Sequence, residues 1–289
     1  MPLRLALLTA VISLGSLAAR AQTGNVSEYD DDPLTLTEAF VRRLVRPHTE
    51  AFTAEAAANP ISPARLPQAP QVRSQLSWRE SSRALVSVEF SNRTSAEDLY
   101  VFLDSLPGEG WRIEAFRAFE LPSVYYQQLD RYRNQGERSI REAYAAKWAR
   151  SREKGITLAQ HEAVHGSEDD RVFYVFNLRL ASSSDADLVR HFEFLKERFE
   201  GLRQNLSALP PSKIPVDHGN EQVGDDLRYL LVKRAYRDEG PLRLEVASIA
   251  GDAVGYLYCA DASCMPTPTP GGVIALKELG GGWWLYRTT

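Results

Sequence analysis

Between Ser184 and Leu209 the positions Leu188, Phe192, Leu195, Phe199, Leu202, Leu206 and Leu209 recur at steps of four and three. Those steps follow one face of an α-helix, so the pattern predicts a single amphipathic helix, stopped by Pro210-Pro211. The apolar stripe suits the packed face of a helix lying on a sheet, or the seam of a homodimeric coiled coil. Elsewhere the period changes to two. Ala84, Val86, Val88 and Phe90 alternate within Arg83–Ser91, the signature of a half-buried strand. Gln71–Glu80 reads as a preceding strand. Leu99–Leu106 and Trp111–Phe119 read as a hairpin around Pro107-Gly108-Glu109-Gly110. A helix is predicted over Leu34–Glu55, then a Pro-rich connector over Ala57–Pro70. Further helices are predicted over Ser123–Arg133, Ser139–Lys154 and a short stretch from Thr157. Arg171–Leu180 and Leu227–Tyr236 read as strands, followed by Leu242–Ile249, Ala253–Ala260, Gly272–Leu279 and Trp283–Thr288. Helices interspersed with hairpin-linked strands predict an α+β fold, with helices packed on curved antiparallel sheets.

The first 21 residues change the setting. Arg4, the apolar run Leu5–Ala18 and the small residues of Ala19-Arg20-Ala21 form a secretory signal peptide, with cleavage expected before Gln22. Residues 22–33 form an acidic tail. No later stretch reads as a membrane span, which places the mature chain in a secreted or periplasmic compartment. Cys259 and Cys264 are the two cysteines of the chain, and an oxidising compartment favours pairing them in a disulfide. A formal net charge of −4, with no basic block, argues against nucleic acid as a partner.

Two hairpins share a layout. "LYVFLDSLPGEGWRIEAFR" and "GGVIALKELGGGWWLYRT" each run strand, Gly-rich turn, Gly-Trp, strand, Arg. Tandem duplication of a helix-on-sheet module would produce this; so would the general likeness of antiparallel hairpins. The layout resembles the NTF2-like superfamily of cone-shaped α+β folds, through Gly110-Trp111-Arg112-Ile113 and Gly282-Trp283-Trp284-Leu285. The organisation expected is a first α+β module over 34–120, a helical connector over 121–170 and a second module over 171–289. The resemblance implies a pocket or a partner-binding surface, with a small molecule or an envelope protein as the partner. Trp111, Phe116 and Tyr256 are the expected lining between helix and sheet. Trp283 and Trp284, adjacent in a strand, face opposite sides, leaving Trp284 to stack on a ligand or partner.

The sharpest chemical motif is His161-Glu162-Ala163-Val164-His165, an H-E-x-x-H sequence. On a helix the i and i+4 imidazoles share a face and can ligate one zinc, with Glu162 as general base. Zinc catalysis needs a third ligand, for which Glu197, with Glu193 one turn before it, is the candidate. Against the motif stand Gly166, which ends the helix at once, and the charged segment before it. The competing expectation is a solvated surface turn. His218 with Asp225 and Asp226 forms a looser polar group. A non-catalytic exported binding protein is the reading the sequence favours, with a zinc hydrolase and a self-associating structural protein as alternatives.

Overall fold

The computed structural model describes residues 32–44, 71–91, 96–119, 123–132, 134–210, 214–237, 240–249 and 252–289. The expected signal peptide, nearly all of the expected acidic tail, the end of the first predicted helix and the expected Pro-rich connector lie outside them. The fold is α+β, and the chain divides into two compact units at Arg117/Ala118.

In the first unit, helix α1 (residues 33–44) opens on Asp32, whose carboxylate accepts from the Thr35 backbone N–H at 2.9 Å. An acidic N-cap satisfies an orphan donor and complements the helix dipole. Four strands follow: β1 (Gln71–Arg79), β2 (Arg83–Ser91), β3 (Ala96–Leu106) and β4 (Gly110–Ala118), in the order β1-β2-β3-β4. Gly108 and Gly110, at φ +80° and +91°, make the β3–β4 turn. Phe40 of α1 meets Phe116 of β4, ring centroids 5.7 Å apart. The alternating residues of β2 are buried, but so is Leu85 between them, so this strand is covered on both faces.

The second unit carries the helices α2 (Ser123–Tyr132), α3 (Glu137–Glu153), α4 (Leu158–His165), α5 (Glu168–Ala181), α6 (Asp185–Phe194), α7 (Lys196–Ala208) and α8 (Gly224–Tyr229). Its strands are β5 (Val216–Asp217), β6 (Arg234–Arg237), β7 (Leu242–Ile249), β8 (Asp252–Tyr258), β9 (Val273–Gly280) and β10 (Trp283–Thr288). They form an antiparallel sheet ordered β5-β6-β7-β8-β10-β9. Phe192, Phe199, Leu202 and Leu206 pack on one face, against Leu244, Val254, Tyr256, Trp283 and Leu285. On the other face Leu257, Leu276 and Tyr286 pack with the half-buried Trp284. Trp283 and Trp284 therefore do face opposite sides. Cys259 and Cys264 form a disulfide, Cα atoms 5.8 Å apart. Among the described residues no helix is long and apolar enough to cross a membrane.

Several expectations need correction. Arg171–Leu180 is not a strand but most of α5. Ser167-x-x-Asp170 forms a capping box there, and three acidic residues occupy the first turn; these helix-start signals outweigh the β-branched and aromatic content of the run. The expected boundary between residues 170 and 171 consequently falls inside a helix. Leu227–Tyr236 splits into α8 and β6. The predicted 184–209 helix is two helices that meet at Leu195, with φ −111° and ψ 15°. Its apolar stripe continues across the break and is spent on the sheet: Leu188, Phe192, Phe199, Leu202 and Leu206 are all buried. The remaining two positions of the stripe, Leu195 and Leu209, are half-buried against the same core, so little of the stripe's apolar surface is left for a homodimer seam. The two look-alike hairpins also differ in place. β4 is an edge strand after β3, whereas β10 lies inside its sheet between β8 and β9.

Candidate functional site

The second unit contains a cavity of about 350 Å³ between α5 and β7. Its size falls within the range of small-molecule sites, roughly 300–1,000 Å³. Helix α5 supplies one wall through Asp170, Arg171, Phe173, Tyr174, Asn177 and Leu178. Tyr125 of α2, His165 at the end of α4, His218 after β5, Lys233 before β6, and Ala247 and Ser248 of β7 complete it.

Asn177 holds the inner end together. Its Nδ2 donates to the Leu231 carbonyl at 2.7 Å and to the Val246 carbonyl at 2.6 Å. Two carbonyl acceptors fix which end of the amide is nitrogen. Both acceptors lie where the regular backbone pairing lapses. Val246 is passed over in the β7–β8 register, between the pairs Glu245↔Gly255 and Ala247↔Val254. Leu231 closes α8 in a left-handed conformation, φ +54°. The N–H groups of Leu231 and Val232 donate back to the Arg228 and Leu227 carbonyls, a Schellman arrangement with leucine where glycine is usual.

Asp170 belongs to the wall but is committed. Its carboxylate accepts from the Ser167 N–H at 3.0 Å, the Ser167 hydroxyl at 2.8 Å and the Arg228 guanidinium at 2.9 Å. Burial opposes its charge, yet the Ser167 bonds, Arg228 and His218 together hold the carboxyl below its ordinary range. Arg228 also donates to the His218 carbonyl at 3.0 Å. Gly224 permits this approach, since a Cβ there would meet the same carbonyl at 2.8 Å. The His218 ring stacks on Phe173, centroids 4.6 Å apart, and its Nδ1–H donates to the Lys233 carbonyl at 3.3 Å. Arg171 donates to the Tyr132 hydroxyl and lies over the Tyr132 and Tyr174 rings. Lys233 is exposed at the rim.

The H-E-x-x-H segment does form a helix. Thr157 and Gln160 make a capping box at its start, and Gly166, at φ +73°, ends it. The His161 and His165 rings lie 4.7 Å apart. His161 is not solvated, as a surface turn would have it, but 2% exposed. It packs edge-on to Tyr144 and against Trp148, and its Nδ1 is 2.9 Å from the Ser151 hydroxyl. Tyr144 in turn donates to the Gly166 carbonyl at 3.1 Å. His161 is thus the centre of the α3–α4 packing, while His165 is exposed. Partial desolvation, with Lys147 and His161 nearby, lowers the His165 pKa below its ordinary value. Glu193 and Glu197 are exposed on α6 and α7. Among the described residues no group of three or more His, Cys, Asp or Glu side chains is placed to hold a metal ion. The donors therefore do not fit a zinc centre with Glu162 as its base.

The cavity is lined by none of the four residues expected to form a pocket. Trp111 is buried in the first unit under the Arg79 guanidinium, and Phe116 rests on Phe40. Tyr256 is fully buried, donates to the Leu188 carbonyl at 2.9 Å and sits among Phe192 and Phe199. Trp284 lies on the opposite sheet face. Asp225 is exposed, and Asp226 contacts Asn205 and Arg198, so neither joins His218 in a site. Asn177 is the lone amide in "VFYVFNLRL", and a single amide within an apolar run is the signal of it that the sequence carries. Compared with family models, curated proteins and solved structures, the chain matches none.

Proposed function

We propose that this chain is an exported, non-catalytic binding protein, and that the cavity of its second unit holds a small organic molecule. The observation that carries the reading is the cavity itself: apolar and aromatic walls, with a few fixed polar groups converging on them. The polar groups are better suited to holding than to reacting. Asp170 is occupied by Ser167 and Arg228 and is not free to orient a base. The NTF2-like resemblance, which implies a pocket between helix and curved sheet, supports the same reading. The signal sequence and the disulfide support an oxidising, extracytoplasmic setting.

Native mass spectrometry of the chain purified from its own compartment tests this. A bound small molecule is expected on the wild type and absent from Ser248→Trp, which fills the cavity from the half-buried end of β7. A folded Ser248→Trp protein that retains the same adduct would refute the assignment.

A further inference from the structure

Resting on the small-molecule reading above, we infer that the cavity takes a planar aromatic acid that carries a hydrogen-bond donor at the end remote from its carboxylate. Three features of the wall specify it. The first is charge. Asp170 is the wall's carboxylate, and Arg228 and Ser167 already satisfy it. Arg171 and Lys233 remain, and among the described residues Lys233 has no ion-pair partner. A site whose uncompensated charges are cationic favours an anion.

The second is the inner end. Asn177 is 8% exposed and spends both amide hydrogens on the Leu231 and Val246 carbonyls. Its Oδ1 makes no hydrogen bond among the described residues, and the neighbouring lining residues Leu178 and Ala247 are also buried. A ligand reaching it satisfies that oxygen only by donating, through a hydroxyl or an N–H. The third is the aromatic wall. Phe173, buried with one face stacked on His218, and the half-buried Tyr174, with Arg171 over its ring, line the wall together with the buried Asn177 and the exposed Lys233, and an aromatic wall of this kind suits a flat, rigid body. The order along the ligand is therefore donor, aromatic plane, carboxylate.

Three naphthalene probes separate these features: 6-hydroxy-2-naphthoate carries both groups, 2-naphthoate lacks the donor, and 2-naphthol lacks the carboxylate. Their intrinsic fluorescence is titrated against the full mature chain, against Lys233→Met and against Ser248→Trp. The hydroxynaphthoate is expected to bind about tenfold or more tightly than either relative. Lys233→Met, at an exposed position, should remove its advantage over 2-naphthol and keep its advantage over 2-naphthoate. Ser248→Trp should abolish all three. Equal binding of the three probes, abolished by Ser248→Trp, overturns the aromatic-acid inference and leaves the cavity reading intact. Binding untouched by Ser248→Trp, or no binding of any probe, overturns both.

Discussion

Replacing Asn177 by leucine keeps the branched side-chain skeleton and removes the amide. The Leu231 and Val246 carbonyls then lose donors at 2.7 and 2.6 Å. Val246 is buried and is passed over in the β7–β8 register, which makes Asn177 its side-chain donor at a break in the ladder. A buried carbonyl left unsatisfied costs about 1–3 kcal/mol. Leu231, half-buried and in a left-handed conformation, contributes toward the lower end of that range. Burying two extra methyl groups offsets about 1 kcal/mol, leaving a net loss of roughly 1–3 kcal/mol. For a unit of this size that corresponds to a fall in Tm of about 2–12 °C. Urea unfolding followed by circular dichroism, with thermal melts alongside, measures it. A companion variant sharpens the test. Asn177→Asp retains the shape but sets a carboxylate oxygen against two carbonyls. It should be at least as damaging at neutral pH, and its deficit should shrink as the pH falls and the acid regains a hydrogen to donate. A loss below about 1 kcal/mol in Asn177→Leu, or a deficit in Asn177→Asp that is indifferent to pH, would refute the clamp.

Arg287 donates to Asp185 at 2.8 Å with both side chains 4% exposed, and also to the Ser183 carbonyl. Asp185→Ala should cost about 3–5 kcal/mol in chemical denaturation, because it strands a buried guanidinium. His161→Ala should lose roughly 2–4 kcal/mol by emptying the space between Tyr144 and Trp148, with zinc uptake measured by atomic absorption unchanged. Burial lowers the His191 pKa from its ordinary 6.5, only partly opposed by its hydrogen bond to the Leu230 carbonyl. The unfolded chain therefore takes up this proton first as the pH falls, and the stability it contributes is present above about pH 6.5 and lost below. The difference in unfolding free energy between wild type and His191→Gln should accordingly narrow from pH 7.5 to pH 5.5.

The strands of the first unit and the last two strands of the chain were legible because alternation and glycine turns report directly on backbone state. Trp283 and Trp284 were assigned to opposite faces by that logic alone. The stripe from Leu188 to Leu209 correctly named core residues, but periodicity is blind to a break that preserves phase, and so missed the turn at Leu195. "RVFYVFNLRL" shows the opposite failure: strand-like composition concealed a helix whose decisive signal, Ser167-x-x-Asp170, lay just before it. That single misassignment hid the site, since α5 is the wall carrying Asp170, Phe173 and Asn177. Nor could spacing alone distinguish a zinc motif from a buried histidine. The outcome for His161 was decided by Tyr144 and Trp148, which lie 17 and 13 residues upstream in sequence.

The most direct test of the cavity as a binding site is to titrate isotopically labelled protein with 6-hydroxy-2-naphthoate and map the amide shifts. Binding in the cavity predicts saturable shifts centred on Phe173, Asn177, Leu231 and Ser248, with the first unit unmoved. Saturable shifts centred on the first unit, or on the α3–α4 pair around His161, would contradict it.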